Sequence, residues 1–343
     1  MDGVLVLDKP VGPTSHDVVA RVRRALGERR IGHTGTLDPA ASGVLPLVVG
    51  RATRLARFLS ARDKSYDAII RLGSSTDTGD AHGVAAGAPH VHVVPSREAI
   101  EGALETFRGT FLQQPPAYSA KRIDGTRSYT LARARARGIR NQAPGIERFA
   151  PGTQHLAATL QDPPSAVLPA PVSVTAHAID LNDLDGDTVT LRVDCSAGFY
   201  VRSLAHDLGV TLGTGAHLVG LRRTRSGDFT LRDSVALDVL ERDRVDALTR
   251  FVPLAEMLRG LASVVLTAEG AKHACHGRDL GPADLAPESP MPGDASGAGV
   301  DTDAATGPPA LHWIRLLDQN GALLGLARSA AASRVLHPSV VLV

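Results

Sequence analysis

Apolar residues along this chain fall in short runs whose spacing changes from one to the next. Val4–Leu7 is an unbroken apolar run closed by Asp8-Lys9-Pro10, which predicts a strand entering a turn. From Ser15 to Leu26 the interval becomes helical. Val18, Val22 and Leu26 form one stripe, Arg21, Arg23 and Arg24 face outward, and Ser15 is the candidate N-cap with Asp17 in the first turn. Val44–Val49 and Tyr66–Leu72 predict strands, and residues 53–62, through Leu55, Phe58 and Leu59, predict a helix. Ser96 is placed to cap another helix with Ile100, Leu104 and Phe107 on one face. Residues 188–194 alternate, with Val189, Leu191 and Val193 pointing the same way; residues 201–212 predict a helix and 218–225 a strand. Strands and helices mix without regular βαβ alternation, which argues an α+β fold.

Two stretches lack either period. Residues 138–171 are rich in Pro, Gly and Ala and predict an irregular insert, and residues 281–310 form an acidic segment of low complexity. Beyond the second, LHWIRLLD, ALLGLARS and SVVLV predict short strands separated by turns, the pattern of a small β-rich module. The domain boundary is placed near residue 250, giving 1–250 and 251–343.

The formal charge of +1 conceals an asymmetry. The 281–310 segment holds Asp284, Glu288, Asp294, Asp301 and Asp303 and no basic residue, so the remainder carries 37 basic against 31 acidic residues. A moderately basic body suits an anionic partner such as nucleic acid. The two cysteines, Cys195 and Cys275, form no CxxC pattern, which points to a reducing cytoplasm. No apolar run approaches membrane-span length, and MDGVLVLDKP lacks the basic start of a signal peptide.

Candidate chemistry centres on GHTGTLDPAASGVLP, residues 32–46. One carboxylate, Asp38, sits between a Gly/Thr-rich turn and a proline that restricts it to extended geometry; Gly35 and Gly43 permit tight turns beside it. A structural reading is an Asx-turn, in which the carboxylate bonds neighbouring backbone amides. The functional reading is a single-carboxylate active site. Other motifs fail. GERRIGHTGT lacks the lysine of a phosphate-binding loop, and His273, Cys275 and His276 have no fourth partner for zinc.

The Asp38 segment closely resembles the catalytic motif of the TruB family of tRNA pseudouridine synthases. The likeness extends in order through GVLVLDKPVGPTS (3–15), DKSYDA (63–68), RLGSSTDTGDAHG (71–83), PPAYSAKRIDGTRSY (115–129), CSAGFYVRSLAHDLG (195–209) and GAHLVGLRRTRSG (215–227). It implies a bacterial enzyme that isomerises uridine 55 in the T-loop of tRNA, compatible with a further role in tRNA folding. It also implies a mixed, largely antiparallel sheet flanked by helices and loops, followed by a PUA-like RNA-binding module. No cofactor or metal is expected, because breaking the C1′–N1 bond, turning the uracil and forming C1′–C5 involves no redox change. Glycosidases use two carboxylates to manage water; here water must be kept out.

The resemblance implies Asp38 as nucleophile, with the attacked atom left open between C6, C1′ and a glycal route. Arg202 is the implied counter-ion that keeps Asp38 ionised on burial. Tyr66 is implied to stack on the base and assist a proton, Tyr200 and Leu221 to contact the substrate, and His33 to fill the space of the extruded uridine. Lys9 and Lys64 match basic positions near the substrate, as phosphate or framework contacts. Asp77 and Asp80 are expected to support their own loop. The basic stretch of about 113–140 matches a thumb-like insertion that grips the T-loop. Ala197 and Phe199 stand where the family usually has lysine and threonine, and His82 where an acid is common. The expected partner is the tRNA T-stem-loop, with no membrane, no required protein partner and a monomeric state.

Overall fold

The computed structural model describes residues 1–86, 94–119, 121–123, 125–132, 168–289, 312–329 and 335–342. Residues 138–167 of the expected insert and 290–310 of the acidic segment lie outside them. The chain forms two compact units, one made of Met1–Pro39, Gly43–Ser60 and Asp228–Val343, the other of Ala40–Ser42 and Ala61–Gly227.

In the first unit, β1 (Gly3–Lys9) begins as the apolar run at Val4–Leu7 predicts, and all four of those side chains are buried. Helix α1 (Ser15–Leu26) follows, with Val18, Val22 and Leu26 inward. Its N-cap is Thr14, not Ser15. Thr14 Oγ1 accepts the Asp17 amide while the Asp17 carboxylate accepts the Thr14 amide, a reciprocal capping box. Short β2 (Ile31–His33) and long β3 (Ala41–Val49) come next. β1 and β3 pair antiparallel from Gly3↔Val49 to Lys9↔Gly43; β2 adds to β3, His33 facing Leu47. The expected helix at 53–62 is a 3₁₀ turn, Gly50–Leu55, leading into one α-turn, Ala56–Ser60.

The three C-terminal strand expectations hold. His312–Leu317, Leu323–Ser329 and Leu336–Val341 form an antiparallel sheet that Ser263–Val265 extends in parallel. Leu323, Leu326, Val340 and Leu342 of this segment share a core with Val4, Val6, Val44, Val48 and Leu55. Trp313 stacks at its margin edge-to-face on Phe58, with Arg57 and Arg328 over its ring.

The second unit is an antiparallel sheet centred on β4 (Lys64–Leu72). Helix α2 (Arg97–Glu105), capped by Ser96, precedes β5 (Gly109–Gln113). The hairpin of β6 (Val172–Asp185) and β7 (Thr188–Cys195) turns at Gly186, φ 54°. Helix α3 (Val201–Thr211) buries Val201, Leu204, Ala205 and Leu208, and β8 (Ala216–Ser226) returns beside β4. The order β8-β4-β7-β6-β5 follows from the registers Leu221↔Ala68, Tyr66↔Val193, Ile179↔Val193 and Val174↔Phe111. The fold is α+β with a mixed, largely antiparallel sheet arrangement and a small C-terminal β-sheet module. Among the described residues no helix is long and apolar enough to cross a membrane.

Candidate active site

The residues singled out from sequence fall in both units. Lys9, His33 and Asp38 belong to the first, Lys64, Tyr66, Tyr200, Arg202 and Leu221 to the second.

Asp38 is half-buried on a loop pinned on both sides. The Thr34 amide donates to the Pro46 carbonyl at 3.1 Å, and the Gly12 amide donates to the Pro39 carbonyl at 2.8 Å. Between them the Ser15 hydroxyl donates to the Leu37 carbonyl and accepts the Leu37 amide, each at 2.9 Å. Gly35 and Gly43 take φ values of 132° and 104°, a region L side chains avoid, so both glycines serve as the turns expected of them. His33 leaves β2 just before this loop, and its ring meets His16 edge-on with centroids 5.3 Å apart. Lys9 is 0% exposed, and its ammonium donates to the Pro10 carbonyl at 2.9 Å.

In the second unit, period-2 alternation along β4 puts Lys64, Tyr66 and Ala68 on one face. Cross-strand partners share that face: Arg223 opposite Tyr66, Leu221 opposite Ala68. Tyr66 and Leu221 are therefore brought together by the β4–β8 register. Arg223, 1% exposed, is among the largest fully buried side chains. Sequence reasoning did not single it out, since it stands among several arginines. Lys64 donates to the Arg62 carbonyl at 2.6 Å. Burial, and secondarily Arg223, pushes its pKa down to about 8. Burial pushes the thiol of Cys195, which is fully enclosed, up to about 12.

Tyr200 stands immediately before α3, and Arg202 in its first turn. The carboxamide of Gln113, 1% exposed, clamps the Tyr200 backbone: Oε1 accepts the Tyr200 amide at 2.8 Å and Nε2 donates to its carbonyl at 3.0 Å. Nothing in the sequence marked Gln113, one of two adjacent glutamines at a strand end. The Arg202 guanidinium, 7% exposed, uses one Nη on the Thr78 carbonyl at 3.0 Å and the other on the Tyr118 carbonyl at 2.7 Å. It thereby ties the 71–83 motif to the 115–129 motif. Asp77 and Asp80 support their loop as expected. Asp77 accepts the Val84 amide, and Asp80 accepts the Thr78 hydroxyl and the His82 amide. Phe199, at a position where the family has threonine, packs edge-on against Phe111. Among the described residues no group of three or more His, Cys, Asp or Glu side chains is arranged to hold a metal.

The arrangement places an acid on a rigid Gly-turn loop, and an aromatic and an aliphatic side chain on one sheet face. An arginine joins the two flanking motifs. Comparison with known proteins agrees. Residues 23–146 match the N-terminal domain of the TruB family pseudouridylate synthases, and residues 202–265 match the tRNA pseudouridylate synthase B C-terminal domain. The chain is 39% identical to tRNA pseudouridine synthase B of Solibacter usitatus over 347 aligned residues, covering 100% of both chains. It is 42% identical to the protein of that name from Aromatoleum aromaticum over 75% of this chain and 77% of the relative. Among solved structures, a Cbf5-Nop10-Gar1 complex matches with TM-score 0.64 at 24% identity over 99% of this chain and 85% of that one, a likeness of fold. These define a pseudouridine synthase, an isomerase class. The chain belongs to the TruB family of pseudouridylate synthases.

Proposed function

We propose that the protein isomerises uridine 55 in the T-loop of tRNA to pseudouridine, acting in the cytoplasm on the T-stem-loop as a monomer and without cofactor. The observation that carries this is the full-length match to a relative named tRNA pseudouridine synthase B. In this reading Asp38 is the nucleophile on a flipped-out uridine. The C1′–N1 bond breaks, the detached uracil turns, C1′–C5 forms, and the C5 proton is lost as N1 regains one. Atoms and charge balance with no external reactant.

In this reading Arg202 is the counter-ion of Asp38. Its guanidinium is held by the carbonyls of Thr78 and Tyr118. Tyr66 and Leu221 offer an aromatic and an aliphatic surface to the base, Tyr200 contacts the substrate, and His33 fills the vacated stack. Lys64 and Lys9 supply fixed positive charge near the substrate. Residues 1–250 carry the isomerase chemistry, residues 113–140 grip the T-loop, and 251–343 serve as a PUA-like RNA-binding module. That is a division of labour and not of packing, since the C-terminal sheet shares its core with β1 and β3. Assistance to tRNA folding is compatible with the same contacts.

The test is conversion of an unmodified tRNA transcript, mapped by carbodiimide labelling. Wild-type protein converts position 55 without additives, and Asp38→Asn abolishes conversion while leaving T-loop binding largely intact. Absence of pseudouridine with the wild type sinks the enzyme reading; an active Asp38→Asn sinks the nucleophile.

A further inference from the structure

We infer that Ser15 is a positioning residue for the nucleophile loop, an inference that rests on Asp38 acting in the reaction proposed above. Ser15 lies in the first turn of α1, where its neighbour Thr14 already performs the capping. Its hydroxyl is free for other use and points inward, at 1% exposure. There it meets both polar groups of the Leu37 backbone, donating to the carbonyl and accepting from the amide at 2.9 Å each. One side chain thus imitates the paired bonds a neighbouring strand would offer, at the residue directly before Asp38.

The peptide joining Leu37 to Asp38 starts at the carbonyl that Ser15 holds. The carbonyl of Pro39, on the far side, is held by the Gly12 amide. Asp38 is therefore suspended between two anchors drawn from the same short segment, residues 12–15. Proline at position 39 narrows the backbone of Asp38 itself. Together these restraints leave few ways for the carboxylate to depart from one direction. A nucleophile must hold a near-attack geometry, and small misplacements reduce rate steeply without touching affinity. The residue directly after Ser15, His16, sets its ring edge-on against His33.

Removing the hydroxyl deletes both bonds to Leu37 and frees the loop on one side. Ser15→Ala is expected to lower the single-turnover rate of uridine 55 conversion about tenfold per folded molecule, with the tRNA dissociation constant close to wild type, while the unpartnered Leu37 amide lowers the thermal midpoint without preventing folding at the assay temperature. Hydrogen exchange measured by mass spectrometry should quicken in the peptide containing the Leu37 amide and stay unchanged over β1. Ser15→Thr, which keeps the hydroxyl, should recover most of the rate. A Ser15→Ala rate within twofold of wild type overturns the inference. So does a loss of rate that tracks a loss of affinity or of folded protein, which assigns Ser15 to the fold alone. Wild-type protein assayed in parallel separates these outcomes from failure of the enzymatic reading, in which no variant converts uridine.

Discussion

Gln113→Leu isolates what one buried carboxamide contributes to the start of α3. Leucine has nearly the same volume, so no cavity forms; what disappears is the pair of bonds to the Tyr200 amide and carbonyl. The two losses are unequal. The Tyr200 carbonyl also accepts the Leu204 amide at 3.1 Å, so it retains a helical partner. The Tyr200 amide loses its bond to Oε1, and stripping a partner from a buried donor costs roughly 1–3 kcal/mol. Adding a smaller loss at the carbonyl puts the total destabilisation at about 2–3 kcal/mol. Urea unfolding followed by far-UV circular dichroism reads this as a lower midpoint at unchanged slope. Gln113→Glu sharpens the test. Its carboxylate still accepts from the Tyr200 amide but opposes the Tyr200 carbonyl, so its folded pKa rises above the unfolded value. The folded state then binds the proton more tightly, and the deficit against wild type is largest near neutrality and shrinks as pH falls through that raised pKa. A Gln113→Leu variant within about 0.5 kcal/mol of wild type would refute the clamp, given the desolvation cost above. A Gln113→Glu deficit that does not respond to acid would refute the donor assignment.

Two further outcomes concern backbone approach and buried charge. Gly209 on α3 has no room for a side chain: a Cβ would come within 2.2 Å of the Ala216 amide nitrogen, so Gly209→Ala forces α3 away from β8 and should cut the yield of folded protein sharply; normal expression and midpoint would contradict the close packing. Lys64, with its folded pKa of about 8 against an ordinary 10.5, releases its proton before the unfolded chain does. Wild-type stability should therefore rise relative to Lys64→Met as pH climbs from about 8 to 10.5, while below that window the burial cost stands in full; parallel unfolding curves across it would show otherwise.

The regular elements were legible because their periods are unambiguous. The stripe Val18–Val22–Leu26 and the alternation Val189–Leu191–Val193 each match one period, while the run Val4–Leu7 is read as a strand from its shortness and the turn residues that close it, and each forms as expected. The cap of α1 was misplaced by one residue because two hydroxyl residues are adjacent. The deciding signal was present: Asp17 lies three residues after Thr14, the spacing a capping box requires. The helix at 53–62 became a 3₁₀ turn plus one α-turn; its N-cap position, Val49, offers no side-chain hydrogen bond. Within the site, the Gly/Thr–Asp–Pro pattern marked Asp38 and the family resemblance marked the tyrosines, but the supporting bonds were invisible. Arg202 reaches carbonyls at Thr78 and Tyr118, and Gln113 reaches Tyr200, across 84 or more residues. Backbone carbonyls carry no side-chain identity, so no pattern of letters announces them.

The shared core of β1, β3 and the C-terminal sheet also bears on how the protein is made. Val4 and Val6 leave the ribosome more than 300 residues before Leu326, Val340 and Leu342, which complete their burial. Residues so far apart in sequence close slowly, since the intervening loop entropy must be met before the contacts repay it. Until then the earliest strand stays an apolar segment without its full cover. For this half of the molecule, folding waits until the residues around Leu326–Leu342 have been made, and the nascent β1 is a stretch a chaperone would have reason to shield.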